Sequence, residues 1–82
     1  MKNAMTIREA QILVCAAALR YAAAERAEEA ARSRFRTRYP SSNWNYDVEP
    51  LIEALEDAEE SLRTAAVALS HAVYEGEAEA AE

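Results

Sequence analysis

"RYPSSNWNYDVEP", residues 38–50, decides the fold. It holds both prolines of the 82-residue chain, its single tryptophan, and a cluster of serine and asparagine. On either side the sequence is dominated by Ala, Glu, Arg and Leu, all strong helix formers, and the only glycine is Gly76. Without this stretch the chain would read as one long helix. With it, Pro40 disfavours helix at Tyr39 and closes the first helix. "DVEP" then opens a second, with Asp47 read as its N-cap and Pro50 in the first turn, where a missing amide matters little. The expected fold is all-α: two long antiparallel helices forming a helical hairpin in a single domain, 1–82.

Working outward, "TIRE" at residues 6–9 has the capping-box spacing, Thr6 with Glu9. Helix 1 is therefore expected over about residues 7–38 and roughly 48 Å long at 1.5 Å per residue. The turn covers 39–47 and helix 2 about 48–75. Gly76 is the natural C-terminal stop, leaving 77–82 as an acidic tail that frays.

Helix 2 carries an apolar stripe at spacings of three and four: Val48, Leu51, Leu55, Ala58, Leu62, Ala65, Leu69 and Ala72, widened by Ile52, Ala66 and Val73. Large residues and alanines share the stripe, as in a close-packed coiled-coil seam. Helix 1 matches it with Ile7, Ala10, Val14, Ala17, Tyr21, Ala24, Ala31 and Phe35. Helix 1 is also apolar off this stripe. Between Ala10 and Ala24 only Gln11 and Arg20 are strongly polar. One partner helix cannot cover both sides. Self-association is therefore expected, with Ile12, Leu13, Cys15, Ala16, Leu19 and Ala23 as the interface. The simplest assembly is a dimer of hairpins forming a four-helix bundle, with a larger helical oligomer also open.

Net charge is −6, unevenly spread. Residues 1–40 carry Lys2 and seven arginines against four glutamates, whereas 41–82 carry Arg63 against eleven acids. Arg32, Arg34, Arg36 and Arg38 ring the end of helix 1, where cations suit the negative end of the helix dipole. Glu28 is well placed to pair with Arg32 at i,i+4. The favoured reading has these arginines balancing the acids at the start of helix 2, Glu49 to Glu60. The alternative is a nucleic-acid-associated regulator in which the Arg32–Arg38 cluster grips phosphates while Tyr39, Trp44 and Tyr46 stack on bases. Overall acidity opposes that alternative. A protein partner, if one docks, is placed at the turn, on Arg34, Arg38, Tyr39, Trp44 and Tyr46. Trp44 itself is expected to cap the open end of the core with Phe35, Tyr39 and Tyr46.

Chemistry is sparse. One histidine, His71, lies on the polar face of helix 2, and there is no set of residues from which to build a catalytic triad or a phosphate loop. No Glu-x-x-His pattern marks a bundle metal site. Cys15, the single cysteine, excludes an internal disulfide and is expected to pack as a small hydrophobe. No catalytic residue, metal or cofactor is expected. "ILVCAAAL", residues 12–19, is too short for a membrane span and is flanked by Glu9, Gln11 and Arg20, so neither a signal peptide nor a membrane protein is expected. The setting expected is cytoplasmic. The Arg- and Ala-rich composition points to a high-GC bacterium or its phage, and to an accessory or regulatory protein there. The acidic surface of helix 2 leaves an antitoxin-like or nucleic-acid-mimicking role as a further alternative. Trp44 between two long helices, in "WNY", resembles the WXG-type secreted helical hairpins of high-GC bacteria. Tyr46 stands where that family has glycine, and Ala78 where its secretion signal has an acid. What the resemblance implies is the hairpin architecture alone.

Overall fold

The computed structural model describes residues 5–81, with side chains as far as Gly76. The described chain is helical throughout apart from one turn: α1 spans Ile7–Arg38, α2 Trp44–Asp47 and α3 Glu49–Ala81. Both halves of the Thr6–Glu9 capping box are made. The Glu9 amide donates to Thr6 Oγ1 at 3.1 Å and the Thr6 amide to Glu9 Oε1 at 3.0 Å. At the other end Tyr39 takes φ −61°, ψ 139°, the extended conformation a following proline imposes.

The second half is one bent helix, not a straight one. Asn43, and not Asp47, is the N-cap of α2. Its side chain accepts from the Asn45 amide, while Asp47 Oδ2 accepts from the Asn43 amide at 2.8 Å. Asp47 therefore closes the first turn from inside. The bend falls at Val48, φ −121° and ψ −45°. Its cause lies two residues on. Pro50 has no N–H to give the Tyr46 carbonyl four residues back, and its ring crowds that carbonyl. The helical ladder still passes through Val48, whose carbonyl accepts from Leu51 and Ile52 at 2.9 and 3.1 Å.

α3 lies antiparallel along α1, giving a rod of 65 × 18 × 14 Å. The register is marked at three heights. Ile7 reaches Gly76, Arg20 Nη1 donates to Ser61 Oγ at 3.4 Å, and Phe35 meets Trp44. That alignment sets Ala10, Ala17 and Ala24 level with Ala72, Ala65 and Ala58. The residues of lowest exposure among those described are accordingly small: Ala10, Ala31, Ala58, Ala65 and Ala72, with Val48 the one larger side chain fully enclosed. Alanines let the backbones approach closely, and the larger seam residues between them, such as Val14, Tyr21, Leu55 and Leu62, are half-buried. Ala66 and Val73 stay exposed, so the α3 seam is narrower than its sequence stripe.

Gly76 does not end the helix. α3 runs through it to Ala81, with no positive φ at any described glycine. Gly76 occupies the next seam position after Ala72, and a Cβ there would lie 3.3 Å from Ile7 Cδ1. Its small size serves close packing rather than a left-handed cap. The side chains of the expected acidic tail, residues 77–82, lie outside the described ones. No helix among the described residues is long and apolar enough to cross a membrane.

Candidate functional site

At the turn end, helical spacing and the α2 turn bring four groups together around Trp44. The Phe35 ring meets it edge-on at 5.2 Å between centroids. The Arg32 guanidinium lies over its face, 5.2 Å from the centroid, and its indole Nε1–H donates to Glu49 Oε2 at 3.0 Å. Arg32 Nε in turn binds the Glu28 carboxylate. Trp44 is half-buried and satisfied on face, edge and nitrogen, which makes it a lid on the core rather than a free anchor.

Two members of this cluster are missed by the reading of Trp44 as a purely aromatic cap. Glu28 has a side chain only 13% exposed, and it sits on the α1 seam between Ala24 and Ala31, where the three-four spacing would place an apolar residue. Reading the gap in that stripe as a buried carboxylate would have found it. Glu49 could not be found this way, because its contact depends on the bend at Val48. Tyr39 packs obliquely on Phe35 at 6.0 Å but is largely exposed. Tyr46, 81% exposed, points into solvent and takes no part in the cap.

The arginine ring divides. Arg34 and Arg38 line a pocket of about 100 Å³ with Ser42 and Asp47, on a different side from Arg32. Among the described residues no arginine of α1 forms an ion pair with an acid of α3. Arg32 pairs within α1, and Arg63 pairs within α3 with Glu59 at 3.7 Å and Glu60 at 3.0 Å. The expected balancing of the ring by helix-2 acids is therefore not made through direct contacts. Glu53, Glu56, Asp57, Glu59 and Glu60 are exposed, and of these Glu60 edges the groove between α1 and α3 near Arg20. Arg34 and Arg38 consequently share a site with one carboxylate, Asp47. Among the sequence-derived docking residues, then, the structure groups Arg34 with Arg38 and holds Trp44 inward, while Tyr39 and Tyr46 stand apart.

The second region is the outer face of α1. Ile12, Leu13, Cys15, Ala16, Leu19 and Ala23 are all exposed on the single chain, Ile12 by 58% and Leu19 by 73%. Cys15 is thus not packed inside the hairpin. The apolar seam that α3 covers uses Ala10, Val14, Ala17, Tyr21 and Ala24, which leaves Ile12, Leu19 and Ala23 as a second stripe turned away from it, with Ala16 at the edge of that stripe nearer α3. Leu13 lies on the flank between the two. With Ala16, Arg20, Thr64 and Ala68 it lines an open groove of about 490 Å³ between α1 and α3.

His71 is exposed, and among the described residues no group of three or more His, Cys, Asp or Glu side chains converges as metal ligands. Comparison with protein-family models, with curated proteins and with solved structures finds no match to this chain.

Proposed function

We propose that the protein acts by contact rather than by catalysis, as a self-associating helical hairpin in an accessory or regulatory role. The single chain is half of the assembly, and two hairpins join along their α1 helices into a four-helix assembly. The observation that supports this reading is the exposed stripe of Ile12, Ala16, Leu19 and Ala23 along the outer face of α1. Surface area points the same way. The chain exposes 6313 Å², whereas a compact monomer of its 9.1 kDa exposes about 4,900 Å². A rod this thin has no other way to bury more apolar surface than to lie against another protein.

Light scattering at micromolar concentration should give at least twice 9.1 kDa. Leu19→Glu, at a residue 73% exposed on the single chain, should return the protein to a monomer. If folding and association are coupled, it should unfold instead. A folded wild-type monomer at these concentrations would refute the reading.

A further inference from the structure

Resting on that reading, we propose that the second copy binds α1 against α1 in antiparallel orientation, in a register centred between Ala17 and Ala18. The outer face of α1 repeats at spacings of four and three, and its residues alternate in kind: Glu9, Ile12, Ala16, Leu19, Ala23, Arg26. Ile12, Leu19 and Arg26, the long residues, stand seven apart, as do Glu9, Ala16 and Ala23. In an antiparallel pair of helices, one of these sets faces the other. Centred between Ala17 and Ala18, the two copies meet with Leu19 over the partner copy's Ala16 and with Ile12 over its Ala23. A large side chain lies against an alanine at every apolar layer.

The same register settles the charges. Arg26 comes level with Glu9 of the other copy, and the twofold axis makes that pair twice. Each partner has bonding capacity free for it. Arg26 is exposed and forms no ion pair with the described residues, and Glu9 uses only Oε1 in the capping box. A parallel pair would instead set Leu19 on Leu19, Ala16 on Ala16 and Arg26 on Arg26, combining crowding, gaps and like-charge repulsion. Size and charge on one face thus choose the same orientation independently. The occupant of the face is a second copy of this chain, because the stripe is complementary to itself.

Spin labels measure the register directly. On the native Cys15, five residues beyond the partner's Cys15 along the axis, paired labels should lie within about 20 Å of each other, the axial offset being about 7.5 Å. In Cys15→Ser/Ser33→Cys the labels should lie about 46 Å apart, since 31 residues of helix separate them. Arg26→Glu faces Glu9 with a second glutamate and should weaken the dimer at least tenfold by sedimentation equilibrium, with the helical content of the chain unchanged. A dimer with Ser33 labels within about 20 Å would be parallel and would overturn this register while leaving self-association standing. An Arg26→Glu dimer of unaltered affinity would overturn it as well. Absence of any dimer would remove the proposed function and this register together.

Discussion

Trp44 shows how much a single residue can be asked to hold. Its ring closes the turn end over Phe35, its face carries Arg32 and its nitrogen is tied to Glu49. Trp44→Ala should therefore destabilise the chain by about 3 kcal/mol, the lower end for loss of a core tryptophan, because the ring is half-buried. In a domain of this size that lowers the melting temperature by roughly 10 °C or more. Trp44→Phe keeps an aromatic ring over Phe35 but removes the bond to Glu49 and the second ring of the indole, so about 1–2 kcal/mol should be lost. Equal losses for the two variants would show that the indole nitrogen, not the ring, matters. Glu28 is the converse case, a carboxylate held where the seam wants an apolar side chain. Arg32→Ala leaves it poorly solvated and should cost about 2 kcal/mol. Glu28→Leu replaces it with the residue type the seam repeats, and chemical denaturation should find that variant as stable as wild type or more so.

At the scale of the element, α3 is governed by two residues that usually break helices. Pro50 bends the second half at Val48 without ending it, because only one amide bond is missing and Val48 carries the ladder across. Gly76 sits inside the helix, where its intrinsic penalty against alanine is about 1 kcal/mol. Gly76→Ala should recover part of that. The new Cβ would meet Ile7 Cδ1 at 3.3 Å, but Ile7 is 39% exposed and its terminal methyl can turn aside. A small rise in melting temperature is expected. A fall would mean that Ile7 cannot yield and that close approach, not helix propensity, governs the C-terminal end of the rod.

The whole molecule is a rod 65 Å long and as little as 14 Å thick, and its energetics follow from that shape. Two helices side by side enclose a single line of contact, so among the described residues the buried ones are five alanines and one valine. Chains this small seldom bury enough on their own. If the missing burial comes from a second hairpin, the melting temperature must depend on protein concentration, because association stabilises the folded form by mass action. Melts followed by circular dichroism over a hundredfold range of concentration should shift upward by several degrees. A midpoint independent of concentration would mean that the hairpin is stable alone and that the outer face of α1 contributes nothing to folding.

The local elements were legible in the sequence, because each is decided by neighbours in the chain. Thr6 and Glu9 start α1, Pro40 ends it, and the three-four spacing of alanines and larger residues names the faces that meet. The apolar stripe through Ile12 and Leu19 was legible for the same reason, since helical periodicity assigns a residue to a side whatever lies opposite. Asp47 and Gly76 were not, because a capping residue and a packing residue have the same letter in sequence. Asn43 took the cap from Asp47 once Pro50 had bent the helix, and the approach of Ile7 made Gly76 a seam position. The pairing of the arginines was likewise out of reach. Arg32 was drawn to Glu28 and to the face of Trp44, while Glu49 was taken by the Trp44 indole and no other acid of α3 reached the ring. Those outcomes depend on the angle and register at which two helices meet, and only contacts between residues distant in sequence determine them.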